Sequence, residues 1–272
     1  MRLAVIGADG QLGRQIPADI RLGHKDFDLI NPDFTVLDRT APGGIILTAA
    51  YTDVDGCESN EAHAYAVNAE GPRMVARWCA GHGAWLMLIG TNCVFDGEQP
   101  QPYAEDASPR PISVYGASKL AGEQAVRDEL PEHFIVRSSW IFGPGGTNFV
   151  TKILAVANAQ ATLRGVADEV AAPTYACDLG PALVRLADTG RYGTYHLTNA
   201  GAISRLEYMR AILEMAGLPN KVEPIRLADY PRPSRPPSQS ALANTRAAAL
   251  GITLRPWREA LSEYIAGLRA SA

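Results

Sequence analysis

Long apolar runs, clustered cysteines and a strong charge imbalance are all missing from this 272-residue sequence. The apolar run at the N-terminus stops at Gly7, too short for a signal peptide or a membrane span. Four cysteines lie far apart without a CxxC pair, which argues against a zinc site and a disulfide framework. The net charge of −4 comes without a basic cluster. We therefore expect a cytoplasmic protein with no metal site and no nucleic-acid or membrane partner.

The sequence does contain an ordinary globular balance, with 47% apolar and 20% charged residues, which excludes a disordered chain. Short apolar strands alternate with helical stretches over the first half. The predicted strands are Leu3–Ile6, Ile45–Ala50, Ala84–Ile89 and Phe134–Arg137, and the clearest helices are Glu61–Ala80 and Val114–Glu129. This alternation predicts an α/β fold in which a doubly wound, Rossmann-type parallel sheet carries helices on both faces.

The second half of the chain differs in its pattern. Its predicted elements are the helices Phe149–Ala159, Asp178–Asp188, Ser204–Ala216 and Trp257–Leu268 and short strands such as Thr194–Leu197. Four prolines within Pro231–Pro237 predict an extended loop. We expect residues 1–142 to form mainly the Rossmann domain. Residues 143–272 are expected to form mainly a smaller C-terminal substrate-binding lobe, with some segments returning to the sheet.

Three glycines follow the first strand at the spacing GxxGxxG: Gly7, Gly10 and Gly13. Glycines at a strand-to-helix turn let the backbone approach a pyrophosphate closely, and the start of the helix offers unpaired N–H groups. The spacing differs from the usual GxGxxG, and a plain tight turn is the alternative. The position favours an NAD(P) phosphate loop. The next segment is less clear, because Pro17 should cut the first helix short and the second strand lies somewhere within Asp19–Ile30.

Tyr115 and Lys119 lie four residues apart and share one face of a predicted helix. A free phenol has a pKa of about 10, and a nearby ammonium lowers it, so that the phenol can protonate a ketone oxygen as hydride arrives. The lysine can also hold the cofactor ribose. Thr91 follows a strand at the edge where open α/β sheets bind ligands, and its hydroxyl can donate to the same oxygen. These residues predict a reductase; an ordinary amphipathic helix and a turn hydroxyl are the alternatives.

With these motifs in this order, the sequence resembles the extended short-chain dehydrogenases, and within them the dTDP-4-dehydrorhamnose reductase family. The resemblance covers nearly the whole chain. It is carried by Gly7–Gly13, Thr48–Asp55 with Glu58, Ala66–Asn68, Thr91 with Val94–Gly97, Tyr103 with Glu105, Val114–Glu123, Arg137–Trp140 and Ala172–Thr174.

The resemblance implies NAD(P)H-dependent reduction of the C4 ketone of a nucleotide-linked 4-keto-6-deoxyhexose, a step of dTDP-L-rhamnose biosynthesis. It gives Thr91, Tyr115 and Lys119 catalytic roles. The expected cofactor-binding residues are Gly7, Gly10, Gln11, Leu12, Ala49, Ala50, Tyr51, Asn68, Tyr115 and Lys119. The expected substrate-binding residues are Val54, Asn92, Cys93, Trp140 and Arg235. A homodimer is a further expectation.

The sequence departs from the family pattern beside the catalytic threonine and in the second strand. Asn92 and Cys93 stand where the family usually has Asp and Tyr, and Glu169 stands for a usual Gln. We identify no acid at the end of the second strand that would bind a ribose 2′-hydroxyl, and the basic segment Arg21–Lys25 favours a 2′-phosphate and therefore NADP over NAD. These departures leave two alternatives open. One is a non-catalytic regulatory protein that binds a nucleotide or a partner; the other is a reductase or epimerase of another sugar nucleotide.

Overall fold

A computed structural model describes residues 2–270 of the chain. Its strands are β1 (Leu3–Ile6), β2 (Ile20–Leu22), β3 (Gly44–Leu47), β4 (Trp85–Thr91), β5 (His133–Ser138), β6 (Ile141–Phe142), β7 (Thr162–Val166), β8 (Val170–Ala171), β9 (Thr174–Tyr175), β10 (Gly193–His196), β11 (Ile203–Ser204) and β12 (Lys221–Ile225). Its helices are α1 (Thr35–Thr40), α2 (Val54–Ser59), α3 (Glu61–Tyr65), α4 (Gly71–His82), α5 (Val114–Glu129), α6 (Phe149–Ala159), α7 (Ala176–Asp188), α8 (Arg205–Ala216), α9 (Thr245–Ala249) and α10 (Trp257–Ala270).

Within residues 2–270, six parallel strands form the central sheet in the order β10-β5-β4-β3-β1-β2. The chain runs outward from β1 to β2 and then crosses back to β3 on the other side of β1. The strand order therefore reverses between β1 and β3, and ligands of open α/β sheets bind at the carboxyl ends of strands at such a point. The predicted doubly wound fold is confirmed.

Apolar cores cover both faces of this sheet, because successive side chains of a strand point to opposite faces. Val5 and Ile46 pack with α7 on one face, whereas Ile6 and Leu47 pack with α4 and α5 on the other. All of β4 is buried, as expected for a central strand of a parallel sheet. The sheet is therefore rigid where its strand ends present the site residues.

The second half of the chain has a core of its own between α6, α8 and α10. Val150, Ile212 and Leu261 are fully buried there. The same half also supplies β10, which pairs in parallel with the outer side of β5 in the central sheet. The division of the chain at residue 142 stays a prediction.

The turn after β1 differs from the predicted strand-to-helix turn. A single 3₁₀ turn, Gly13–Gln15, follows the glycines, and β2 begins at Ile20. Pro17 cannot continue a helix because it lacks an N–H and its ring crowds the preceding turn. The shortened helix is confirmed, and only a single turn stands behind the phosphate loop.

The predicted helix Glu61–Ala80 is interrupted by a π-helical turn over Ala66–Glu70, and α4 then begins with Pro72 in its first turn. Proline cannot donate a helical hydrogen bond and its ring crowds the preceding turn, so a local departure from α-helical geometry just before Pro72 is expected. The π turn places the carbonyl of Asn68 against Gly122 of α5, where a Cβ atom would lie 2.1 Å from that oxygen. Gly122 therefore lets α5 pack closely beneath the site.

Candidate active site

A cavity of about 880 Å³ follows the carboxyl edge of the sheet from the glycine loop to Glu169 and Arg205 in the second half of the chain. This volume lies toward the upper end of the range for small-molecule and cofactor sites. The predicted site residues that line it are Gly7, Gly10, Gln11, Leu12, Ala49, Ala50, Tyr51, Val54, Thr91, Asn92, Cys93, Tyr115, Lys119 and Trp140. Two predicted residues, Asn68 and Arg235, are not part of its described wall. The structure thus brings together nearly all of the residues that the sequence singled out.

The glycine loop is closed tightly against the end of β3. Gly7 has φ +90°, and a Cβ atom there would lie 2.5 Å from the backbone nitrogen of Ala49. A Cβ atom on Gly13 would lie 2.1 Å from the Gly7 carbonyl oxygen. Gln11 donates from Nε2 to the carbonyl of Gly143 at 2.5 Å. Only glycine fits these close approaches, so the loop presents bare backbone to the cavity.

Beyond this loop, the cavity is lined by the segment 27–30, which the sequence reasoning missed. It includes Asp28, so an acid does line the cavity after β2, contrary to the expectation. Phe27 and Leu29 are buried, and this alternation ahead of Pro32 is the signal that could have revealed it. The basic segment behaves differently from expectation, because Arg21 donates to the carbonyls of Ile16 and Gly13 beneath the glycine loop. Arg21 therefore stabilises the glycine loop. Its position gives no support to the expectation that the basic segment favours NADP over NAD.

Asn68 has a structural role beside the cavity. It is 1% exposed. Its side-chain oxygen accepts from the Tyr51 N–H at 2.9 Å, and its amide nitrogen donates to the Tyr51 carbonyl at 3.0 Å and to the Ser118 hydroxyl at 3.1 Å. These bonds join the loop after β3 to α5. The expectation that Asn68 itself contacts the cofactor is corrected, because its polar atoms are taken up in positioning Tyr51.

Tyr115 owes its position to the start of α5. Ser113 caps this helix by accepting from the Gly116 N–H, and the Glu58 carboxylate accepts from the Val114 N–H at 2.9 Å. Such caps satisfy N–H groups that have no partner within the helix. Tyr115 is thereby fixed in the first turn and faces the cavity.

Thr91 is the last residue of β4 and lies beside this phenol. Burial raises the pKa of Tyr115, the neighbouring Cys93 adds to the rise, and hydrogen bonding with Thr91 opposes it only in part. The phenol is therefore protonated at neutral pH. A protonated phenol next to a threonine hydroxyl can hydrogen-bond a carbonyl oxygen and deliver a proton to it.

Lys119 is 4% exposed, and its Nζ donates to the carbonyl of Ile89 at 2.7 Å. Burial lowers the pKa of Lys119 to about 8, although the charge of Glu123 opposes this change. The expectation that the ammonium lowers the pKa of Tyr115 is wrong for this structure. Desolvation of the phenolate outweighs other effects, and the lysine is directed to the end of β4 instead.

The unusual residues after Thr91 have clear placements. Asn92 is 3% exposed and donates from Nδ2 to the Ser240 hydroxyl at 2.7 Å, which joins the end of β4 to the segment just after the proline-rich loop. Burial raises the pKa of the Cys93 thiol, so it is uncharged at neutral pH. The Asn92 amide therefore holds the segment after the proline-rich loop. The Cys93 thiol contributes a small, neutral part of the cavity wall.

The proline-rich loop places a different arginine in the cavity from the one predicted. Arg235 is exposed, whereas Arg232 lines the cavity. Arg232 donates from Nε to Asp55 Oδ1 at 3.0 Å, and the Ser234 N–H donates to the same oxygen at 3.1 Å. Burial raises the pKa of Asp55, but a hydrogen bond from the Ser234 hydroxyl and these two bonds outweigh it and lower the pKa overall. A charged Asp55 therefore fastens the loop to α2.

A dinucleotide fits these residues. The glycine loop leaves an open backbone cradle, and Ser138 at the end of β5 lines the cavity with a buried hydroxyl that has no hydrogen-bond partner within residues 2–270. Buried polar atoms in native proteins generally have partners, so an unpaired hydroxyl here suits a ligand. The fold and this site together define an NAD(P)-dependent oxidoreductase of the Rossmann type.

Comparison with known proteins narrows this class. Residues 1–270 match the family model described as RmlD substrate binding domain, and the chain belongs to that family. A dTDP-4-dehydrorhamnose reductase of Mycobacterium tuberculosis is 42% identical over 97% of this chain and 92% of its own length. A crystal structure of the Bacillus anthracis dTDP-4-dehydrorhamnose reductase in complex with NADP has a TM-score of 0.93 at 35% identity, and covers 98% of this chain and 99% of that one. The predicted family is confirmed.

A second solved relative, the dTDP-4-dehydrorhamnose reductase ortholog of Clostridium acetobutylicum, has a TM-score of 0.94 at 34% identity, over 99% of this chain and all of that one. Within residues 2–270, no helix combines the length and the apolar character needed to cross a membrane. The described part of the chain also holds no group of three or more His, Cys, Asp or Glu side chains arranged for a metal ion.

Proposed function

We propose that this protein reduces the C4 ketone of a dTDP-linked 4-keto-6-deoxyhexose with NADPH or NADH, as a dTDP-4-dehydrorhamnose reductase does in dTDP-L-rhamnose biosynthesis. The observation that carries the proposal is that Thr91, Tyr115 and Lys119 meet in one cavity that ends at the glycine loop. The named relatives and the relative that binds NADP support it.

In the proposed reaction, the bound nicotinamide supplies hydride to the ketone carbon. Tyr115 gives its proton to the ketone oxygen, and burial keeps this proton in place at neutral pH. Thr91 donates a hydrogen bond to the same oxygen as negative charge develops there. Lys119 offers an ammonium to the ribose hydroxyls from its position beside Ile89. The glycine loop and the hydroxyl of Ser138 complete the cofactor side.

On the substrate side, we assign the sugar to the wall formed by Val54, Cys93 and Trp140, which line the cavity near the catalytic group. We assign the diphosphate to Arg232 rather than Arg235, because Arg232 lines the cavity. Asn92 acts on this side indirectly, by holding the segment just after the proline-rich loop through Ser240.

The test is a nicotinamide absorbance assay with dTDP-4-keto-rhamnose. The wild type is expected to oxidise NADPH, and Tyr115→Phe is expected to lower kcat by about 100-fold or more, because the proton donor is lost. Tyr192→Phe is the matched control, since this tyrosine is 39% exposed and lies outside the cavity. NADPH that binds without any turnover by the wild type, or full activity of Tyr115→Phe, would contradict the proposal.

The expected homodimer, the cytoplasmic location and the lack of a nucleic-acid partner stay predictions from the sequence. Light scattering of the purified protein measures the first of these directly.

A further inference from the structure

A carboxylate and a guanidinium form a pair at the second-lobe end of the cavity. Arg205 is the first residue of α8, and its Nε donates to Glu169 Oε1 at 3.1 Å. The carbon of its guanidinium lies 3.5 Å from the centre of the Trp140 ring. All three side chains line the cavity. We call these residues the Glu169–Arg205–Trp140 cluster.

The cluster is held in place by contacts from several elements. Trp140 has φ +43°, a left-handed conformation that bulky residues rarely adopt and that surrounding structure must enforce. The Arg205 guanidinium also lies 4.7 Å from the ring of Phe149, and the Arg205 N–H donates to the Glu169 carbonyl at 2.9 Å. The guanidinium and the carboxylate are therefore oriented in advance, which lowers the entropy lost when a ligand binds.

Both charged groups keep unused hydrogen-bonding atoms. Within residues 2–270, the two terminal nitrogens of Arg205 and the second carboxylate oxygen of Glu169 have no hydrogen-bond partner, since the pair uses Nε and Oε1. The side chains are only 21% and 9% exposed, and both line the cavity. The cluster thus offers the cavity several N–H donors beside a strong acceptor.

The chemistry of this cluster favours a neutral polyol over a diphosphate. The two charges cancel, and an aromatic ring lies next to them, which suits a molecule with hydroxyl groups on an apolar ring. The cluster is also close to the catalytic loop: after the dominant effect of burial, the charge of Glu169 raises the pKa of the Cys93 thiol and that of Arg205 lowers it. Cys93 is two residues after Thr91, so the reacting sugar belongs at this end of the cavity.

We propose that Glu169 and Arg205 together bind hydroxyl groups of the sugar ring and determine which hexose the enzyme accepts. The inference rests on the proposed function and names residues that discriminate the sugar. A sugar without a hydroxyl at this place would leave the desolvated guanidinium and carboxylate unpaired, and unpaired polar groups of this kind produce strong discrimination.

The test compares two ligands that differ only by the sugar. Calorimetry measures the Kd of dTDP-L-rhamnose, of dTDP and of NADPH for the wild type, Arg205→Gln and Glu169→Gln. Arg205→Gln is expected to weaken dTDP-L-rhamnose binding about tenfold or more, as the loss of a charged hydrogen bond does, while dTDP and NADPH bind nearly as before. Glu169→Gln is expected to give a smaller loss in the same direction. The control is Arg210→Gln, which alters an exposed arginine of the same helix paired with Glu207.

Equal losses for dTDP and dTDP-L-rhamnose would place the cluster at the nucleotide and overturn the inference. A fall in Tm together with weaker NADPH binding would show a structural role and overturn it as well. The proposed function is judged separately by turnover. If the wild type shows no turnover but binds dTDP-L-rhamnose more tightly than dTDP, and this preference is lost in Arg205→Gln, the proposed reductase function is refuted. The proposed role of the Glu169–Arg205–Trp140 cluster in sugar binding is then supported. A wild type that binds neither ligand would refute both.

Discussion

At the scale of single residues, burial decides the protonation of the catalytic pair. It raises the pKa of Tyr115 and lowers that of Lys119 to about 8, so both shifts favour the uncharged form of the side chain. The phenol is held in the form that gives a proton, which is the form a reduction needs. The ammonium, by contrast, is held at the expense of stability, since a buried cation is disfavoured.

This leads to a prediction for Lys119→Met. Below about pH 8 the folded protein carries a buried ammonium, and between about 8 and 10.5 the unfolded chain binds more protons than the folded one, so stability rises with pH in that window. The variant lacks this ammonium, and we expect it to melt a few degrees above the wild type at pH 7, with the gap closing toward pH 10.

Differential scanning fluorimetry across this pH range measures the effect, and the turnover of the variant is expected to fall sharply. Lys152→Met is the control, because this lysine is exposed on α6. A variant that melts lower than the wild type at pH 7 and keeps its deficit at pH 10 would contradict the argument.

At the scale of elements, a buried ion-pair network connects α5 to the central sheet. Glu123 is fully buried and accepts from Arg137 of β5 at 2.7 and 2.9 Å and from Arg127 at 3.1 Å. Glu123 lies one turn after Lys119, so the same helix face carries the catalytic pair and this anchor. The ion-pair network therefore holds α5, the helix that carries Tyr115 and Lys119, in position.

We predict that Glu123→Leu lowers the free energy of unfolding by about 3–5 kcal/mol, because Arg137 is then a buried cation without its carboxylate. Adding Arg137→Met should restore part of this loss, since an apolar pair can replace a buried ion pair. Urea unfolding of both variants measures the difference. The control is Glu214→Leu in an exposed pair with Arg258, for which we expect about 0–1 kcal/mol. A double variant less stable than Glu123→Leu would refute this account.

The elements that the sequence predicted well are those with local signals. The predicted bounds of α5, Val114–Glu129, are the observed ones, because Ser113 caps the helix and apolar residues repeat along it. The catalytic motif lies on that helix and at one strand end, so it was found too. The bounds of the segment 13–30 were poorly predicted, since a 3₁₀ turn and a three-residue strand carry little periodicity.

Long-range contacts explain the site residues that were missed. Arg205 meets Glu169 across 36 residues of sequence, and Arg232 meets Asp55 across 177. Nothing near these arginines in the sequence distinguishes them from exposed ones, and Arg235 fitted the family pattern better than Arg232. Their placement depends on how the second half of the chain folds over the strand ends, which no local pattern encodes.

At the scale of the whole molecule, the sheet unites both halves of the chain, because β10 pairs with the outer side of β5. We predict that a fragment of residues 1–142 self-associates, since its β5 would present unpaired backbone groups at the sheet edge. Size-exclusion chromatography with light scattering compares the fragment with the full chain. A monomeric fragment that unfolds cooperatively would contradict this prediction.

The same pairing sets an order of events during translation. When the ribosome has finished β5, the strand that will cover it is still unmade, and much of the second lobe has to be synthesised first. The nascent chain must therefore carry an uncovered apolar strand through this interval. Slow decoding between β5 and β10 would lengthen its exposure, so the yield of folded enzyme should depend on the translation rate of that stretch.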